Sequence, residues 1–238
     1  MQTRIIHYND GETLCSGFIA YEEQAQSPKP CVLVAHDWGG RTEETCNKAK
    51  KLAAMGFVGF AIDMYGEGKI GTTKIEKRAL MTPLRQNRQR LANRIIAAFN
   101  AAVSLPQVDK TKIAAIGYCF GGLCVLDLAR TGVDIKGVVS FHGLLSAPEY
   151  CSLTPIPAKI LILHGYDDPL VPLEEVHHFA NEMTKRQVDW QVHMYGLTAH
   201  SFTDPEANDD EMGLHYNKEA DHRSWISMEL FLREILEA

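Results

Sequence analysis

No run of about 18 apolar residues occurs anywhere in the 238-residue chain, so no segment reads as a membrane-spanning helix. The opening residues Met1-Gln2-Thr3-Arg4-Ile5-Ile6-His7-Tyr8 lack the apolar core and cleavage site of a secretory signal. The cysteines at 15, 31, 46, 119, 124 and 151 are irregularly spaced, and no C-x-x-C pair suggests a zinc knuckle. Together these absences lead us to expect a cytoplasmic protein with reduced thiols and no bound metal. Positive charge is also scarce: the net charge is -6, which argues against a general nucleic-acid binder. There are no internal repeats, low-complexity tracts or linker-like stretches, so one domain over 1–238 is expected. What remains is the composition of an ordinary globule, 45% hydrophobic and 23% charged, long enough to bury a large core.

The apolar pattern alternates between strand and helix periods. Residues 4–8 and 14–21 are β-rich and joined around Asn9-Asp10-Gly11, a hairpin signal. After a polar loop over 22–30, residues 31–35 form a short buried strand. A helix over 42–55 follows, with Thr42 as its cap, Cys46, Ala49, Leu52 and Ala53 as its apolar face, and Gly56 as its stop. Residues 57–62 read as another buried strand. From 63 to 82 the pattern fails, and we expect an irregular excursion over the mouth of a site. Leu84, Leu91, Ile95, Ala98, Phe99 and Ala102 then mark one long helix, with Arg85, Arg88, Arg90 and Arg94 on its solvated face. Further strands are expected over 112–116, 135–140, 159–163 and 190–195, with loops over 141–157 and from 196 through 210. Helices are expected over 123–130, 173–185 and 218–236; the last places Trp225, Met228, Leu232 and Ile235 on its inner face. Alternating strands and helices behind an N-terminal hairpin imply a doubly wound, mostly parallel α/β sheet of about eight strands flanked by helices.

The turn between 116 and 123 carries the chemistry. Gly117-Tyr118-Cys119-Phe120-Gly121-Gly122 joins a buried strand directly to a helix, the pattern of a nucleophile elbow with cysteine in place of serine. Such a turn is too tight for Cβ atoms beside the nucleophile, hence the glycines. The Cys119 sulfur would sit at a helix N-terminus, where the macrodipole favours thiolate, and the Phe120 amide would face a developing oxyanion. The plain alternative is a structural thiol in a glycine-rich turn; neither phosphate-binding glycine pattern stands at this turn. In sheets of this kind ligands meet the loops at the carboxyl ends of strands. A base and an orienting acid are therefore sought in post-strand loops following the nucleophile. His164-Gly165-Tyr166-Asp167-Asp168-Pro169-Leu170-Val171-Pro172 and Gly196-Leu197-Thr198-Ala199-His200-Ser201-Phe202 fall there.

These motifs in this order resemble the dienelactone hydrolase family of α/β-hydrolases. That family pairs a G-x-C-x-G-G elbow with an acid in G-x-x-D-x-x-V-P and a histidine in a G-x-x-x-H-S-F-like loop. The resemblance covers essentially the whole chain. It implies an α/β-hydrolase fold and a triad of Cys119, His200 and Asp168, the spacing from Gly165 to Val171 selecting Asp168 over Asp167. It implies a fourth motif in His36-Asp37-Trp38-Gly39-Gly40. There the Trp38 amide would join that of Phe120 as oxyanion donor, and Asp37 stands where the family usually has a glutamate that modulates the thiol. Aspartate is one methylene shorter, and a plain turn role for Asp37 is equally open.

The implied activity is hydrolysis of small carboxylic esters or lactones through a thioester, with no organic cofactor or metal. Tyr65, His142 and Asp204 are expected at the pocket. His142 and His164 both close strands and could line or border the pocket, although a strand-end histidine is more often a hydrogen-bonded structural residue. Members that act on the dienelactone itself hold its carboxylate with arginines, one of them four residues past the histidine. Here that position is Asp204, so neutral esters are expected instead. Attack on other activated electrophiles, phosphotriesters included, and a redox-sensing or ligand-binding role for Cys119 are the alternatives. The expected partner is a small molecule acting on a monomer or small homo-oligomer, with no nucleic acid or membrane involved.

Overall fold

The computed structural model describes residues 1–22, 27–149 and 155–237. Cys151 and parts of the loops expected over 22–30 and 141–157 lie outside the described residues. The chain divides into two compact units, Met1–Ile116 and Gly117–Ala238.

In the first unit, β1 (Gln2–Asp10) and β2 (Thr13–Tyr21) form the expected hairpin, paired from Gln2↔Tyr21 to Asp10↔Thr13. Strand β3 (Lys29–Ala35) runs parallel to β4 (Val58–Ala61), which pairs antiparallel with β2. All of Cys31 to Ala35 is buried, as a strand covered on both faces requires. Helix α1 (Glu43–Ala54) buries Cys46, Ala49, Leu52 and Ala53. Its N-cap is Thr42, but the threonine side chain makes no capping bond, contrary to expectation. Glu43 and Glu44 in the first turn complement the dipole there. At the other end Gly56, at φ +95, closes a Schellman turn in which the Phe57 amide donates to Leu52 and that of Gly56 to Ala53.

The segment expected to be irregular up to 82 is helical from residue 74. Helix α2 (Lys74–Gln86) begins in a capping box: Thr73 accepts from the Glu76 amide, and the Glu76 carboxylate accepts from Thr73. Only Leu84 is buried, and the apolar residues at helical spacing, Leu80, Met81 and Leu84, fall in its second half. The single long helix expected after Leu84 is in fact two. Pro83 lacks an amide, α2 stops at Gln86, and Asn87 caps α3 (Arg88–Val103) by accepting from Arg90 N at 2.9 Å.

The solvated-face assignment fails for one arginine. Arg85 and Arg90 are exposed, but Arg94 is 1% exposed; it pairs with Asp10 at 2.7 Å and donates to the Met64 carbonyl at 2.9 Å.

The last strand of this region, β5 (Val108–Tyr118), leads into the second unit. There α4 (Phe120–Arg130) is buried on every side. Strands β6 (Gly137–Phe141), β7 (Lys159–Gly165) and β8 (Trp190–Tyr195) pair in parallel, Gly137 opposite Lys159 and Ile160 opposite Trp190. Helix α5 (Leu173–Lys185) buries Val176, Phe179 and Met183. A short ladder not anticipated from sequence joins β9 (Asn208–Asp209) to β10 (Leu214–His215). The closing α6 (Lys218–Glu237) buries Met228 and Leu232 as expected, together with Phe231 and Leu236, while Trp225 and Ile235 are half-buried and Ile235 packs over Gly137 of β6. The eight strands of the main sheet follow the order β1-β2-β4-β3-β5-β6-β7-β8. This is the α/β-hydrolase architecture. Among the described residues no helix is long and apolar enough to cross a membrane.

The Arg94 pair provides a test of the first unit. Removing a buried partner leaves its counter-charge and a carbonyl uncompensated, which costs about 3–5 kcal/mol. Arg94→Ala should lower the unfolding free energy by that amount in urea titration. A loss below about 1 kcal/mol would show that the buried guanidinium adds no net stability.

Candidate active site

Three loops of the second unit bring Cys119, His200 and Asp168 together. Cys119 occupies the N-cap of α4 at φ 53 and ψ -113, a positive-φ geometry costly for any residue but glycine. The surroundings enforce it. A Cβ on Gly117 would fall 2.0 Å from the Gly121 carbonyl oxygen, and one on Gly122 would fall 2.3 Å from Ser140 Oγ and 2.7 Å from Gly143 Cα. The Cys119 amide donates to Phe141 O at 3.0 Å, tying the elbow to the end of β6. The thiol is half-buried, whereas Cys124, one turn on, is buried.

His200 Nε2 lies 3.1 Å from Cys119 Sγ, and its Nδ1 lies 2.7 Å from Asp168 Oδ2. The other carboxylate oxygen accepts from the amides of Leu170 at 2.8 Å and Val171 at 3.2 Å. Asp167 is exposed, and its amide donates to Thr198 O, so Asp168 is the carboxylate that meets the histidine. Burial alone would lower the His200 pKa, but attraction to the Cys119 sulfur and the Asp168 carboxylate outweighs it and raises it to about 10. The imidazole is therefore disposed to hold a proton between the carboxylate and the sulfur.

The main chain around His200 is clasped by residues that sequence reasoning missed. Its amide donates to Gly213 O at 3.2 Å, and its carbonyl accepts from His215 N at 3.0 Å. Asn217 caps α6 through Ala220 N, donates its side-chain amide to Leu197 O and Thr198 Oγ1, and donates its backbone N–H to Phe202 O. An asparagine just before a helical run was the available signal.

Among the expected pocket residues, His142 is buried at φ 38, within hydrogen-bond distance of Thr203. His164 is buried with neither ring nitrogen bonded to a described residue, and burial holds its pKa below the ordinary value. Asp204 is half-buried, and its Oδ1 accepts from the Glu206 amide at 3.0 Å. Its charge is thus partly used in shaping its own turn.

The remaining candidates belong to the first unit. Asp37 Oδ1 accepts from Gly39 N at 2.7 Å, the turn role left open by the sequence, and burial raises its pKa. His36 donates from Nδ1 to the Asp37 carbonyl at 2.6 Å and accepts at Nε2 from Met64 N, which makes it a neutral brace of this loop. The Tyr65 hydroxyl donates to Trp38 O at 2.8 Å, and Lys77 of α2 lies over the Trp38 ring, 5.4 Å from its centroid. Tyr65 is therefore a strut for the Trp38 peptide. Among the described residues no group of three or more His, Cys, Asp or Glu is placed to hold a metal.

Comparison with known proteins adds the following. The profile described as the dienelactone hydrolase family matches residues 16–236. A solved structure of a dienelactone hydrolase-like promiscuous phosphotriesterase from metagenomic libraries is 35% identical, with a TM-score of 0.94 and 98% of both chains covered. An uncharacterized protein of Caenorhabditis elegans is 42% identical over 148 residues, 61% of this chain and 94% of its own. A carboxymethylenebutenolidase homolog of Xenopus tropicalis is 26% identical over 183 residues, 75% of this chain and 72% of its own.

The geometry separates the two neighbouring aspartates. Removing the Asp168 charge takes away a carboxylate that favours protonated His200. Alkylation of Cys119 by iodoacetamide at pH 7 should then slow by about tenfold or more in Asp168→Asn. In Asp167→Asn the rate should stay within about twofold of wild type, since an exposed charge is screened. Equal losses in both variants would mean that Asp167 holds the loop in shape.

Proposed function

Since the chain belongs to the dienelactone hydrolase family, a family of hydrolases, we propose that it cleaves small carboxylic esters or lactones through a cysteine acyl-enzyme. The observation carrying this reading is the relay from Asp168 Oδ2 through His200 to Cys119 Sγ, at 2.7 and 3.1 Å. In the first step the thiolate attacks the acyl carbon. The oxyanion is held by the Phe120 amide at the start of α4 and, by family resemblance, by that of Trp38. His200 gives its proton to the departing alkoxide, and the thioester remains. In the second step His200, now neutral, takes a proton from water. The hydroxide adds to the thioester, and collapse expels the sulfur as thiolate and frees the product acid, leaving on imidazole the proton taken from water. Asp168 keeps the ring in the Nδ1–H tautomer and balances the imidazolium throughout.

One further substrate class has an observation in its favour. The metagenomic relative, 35% identical over 98% of both chains, is described as a promiscuous phosphotriesterase. A neutral aryl phosphotriester presents the same features as an activated ester: an electrophilic centre, a good leaving group and an oxygen that gains charge.

Both classes are tested with one variant. Cys119→Ala should abolish steady-state turnover of aryl esters and of neutral aryl phosphotriesters while leaving the fold intact, and wild type given an ester should carry a transient acyl mass on Cys119. Substantial hydrolysis by the alanine variant would defeat the nucleophile assignment. Sulfenate or mixed disulfide on mild peroxide with no turnover would instead point to a redox sensor.

Selectivity should follow from Asp204. A like charge in a partly exposed mouth costs about 1 kcal/mol, or roughly five- to tenfold in kcat/KM for an anionic ester against its neutral analogue. Raised salt should shrink the penalty, and Asp204→Arg should reverse it. Preference of wild type for the anionic member of a matched pair would return the dienelactone-type substrate to the lead.

A further inference from the structure

We propose that His142 is a positioning residue for His200, locking the plane of the catalytic imidazole that the proposed mechanism relies on. The argument starts from a degree of freedom. The bond to Asp168 fixes one nitrogen of His200 and its tautomer, but rotation about the axis of that bond would carry Nε2 off the sulfur. Something must therefore press on the ring itself.

His142 does so. Its ring centroid lies 5.1 Å from that of His200 with the planes at 65°, an edge-to-face contact, and 5.1 Å from that of Phe202 at 78°. His142 is itself held at two points, one on its backbone and one on its ring. Its amide donates to Leu163 O at 2.8 Å, anchoring it on β7, and its Nε2 lies 2.8 Å from Thr203 Oγ1. Thr203 is three residues past His200 on the same loop and is also buried. The hydrogen bond thus ties the end of β6 to the loop that carries the catalytic ring.

The backbone indicates the same role. At φ 38 His142 adopts a left-handed conformation that a residue with a Cβ rarely takes, and such outliers persist where the surroundings over-determine them. Gly143 follows with no side chain because a Cβ there would stand 2.2 Å from Ser140 Oγ and 2.7 Å from Gly122 Cα. The left-handed turn and the glycine let the backbone after β6 lie against the elbow helix while the histidine packs on His200. A phenyl ring would supply the wall without the bond to Thr203, and that difference can be tested.

The experiment compares wild type with His142→Ala, His142→Phe, Thr203→Val, the double variant His142→Phe with Thr203→Val, and Thr203→Ser. Aryl-ester kinetics and the pH profile of Cys119 alkylation are both read. His142→Ala should lower kcat about 30- to 100-fold with KM within about threefold, the cost of a misplaced group rather than of lost binding. His142→Phe and Thr203→Val should each lose about three- to tenfold, and the double variant no more than the worse single, because both delete one bond. Thr203→Ser, which keeps the hydroxyl, should recover most of kcat. In the deficient variants the alkylation profile, which follows the protonation of His200, should flatten or shift. Should His142→Ala fail to fold, the phenylalanine and valine variants decide the question. Wild-type kcat and wild-type alkylation profiles in His142→Phe and Thr203→Val, or losses confined to KM, would overturn the proposal. Alkylation needs no substrate, so a wild type that cleaves no ester defeats the hydrolase reading alone and leaves this inference to stand or fall by the profiles.

Discussion

A carboxylate from which solvent has been removed stays charged only if the protein replaces the contacts that water made. Asp168 is 3% exposed, and its replacements are complete: two backbone amides on one oxygen and the His200 ring on the other. The rest of the second unit follows from that requirement. Leu170 and Val171 offer their amides because the loop after β7 turns back on itself, and Gly165 allows this. A Cβ on Gly165 would sit 2.4 Å from the carbonyl oxygen of Thr198 and keep the two loops apart. Gly213, His215 and Asn217 hold the backbone on the other side of His200. A charge that is cheap to keep in one geometry only is a device for fixing that geometry.

The first unit solves its own loops in the same way. Asp63 is fully buried and accepts four backbone amides, those of Tyr65 and Gly66 on Oδ1 and of Ser16 and Gly68 on Oδ2. It sets the path of the chain after β4. His36 then crosses to Met64, and Tyr65 reaches the Trp38 carbonyl, so the turn after β3 is braced by the turn after β4. These are hydrogen bonds to main chain made by buried side chains. They determine shape at strand ends, where hydrophobic packing has no leverage.

What was legible in the sequence was whatever leaves a periodic or spaced trace. Buried strands show as short apolar runs, and residues 31–35 and 159–163 fall within strands close to those bounds. The elbow shows because glycines must stand where backbones touch. The choice of Asp168 rested on motif spacing and agrees with its bond to His200, as the exposed Asp167 could not have been told apart by composition. Arg94 was misplaced because its residue type is that of a solvated face; its partner Asp10 is 84 residues away, and no local pattern connects them. The β9–β10 ladder is two residues per strand and carries no alternation to read. His142 was visible as a strand-end histidine, but its contact with His200 depends on a left-handed backbone that sequence does not announce.

Helix α2 is a different kind of failure. Apolar positions are read most easily in helices that a core covers, and α2 buries only Leu84. Its first turn is fastened by Thr73 and by Glu76, whose carboxylate accepts from the Thr72 hydroxyl and from the amides of Thr72 and Thr73. Those bonds depress the Glu76 pKa to about 2. Ile75 is 81% exposed, and the helix meets the Asp37–Gly40 turn through Lys77, whose ammonium lies over Trp38. A positive charge there also favours the charged form of the half-buried Asp37 carboxylate, whose pKa burial raises. The charged composition that made 63–82 read as irregular is therefore the same chemistry that holds α2 in place. Its cations and carboxylates are spent on a cap and on one aromatic face, and little is left for the core to do.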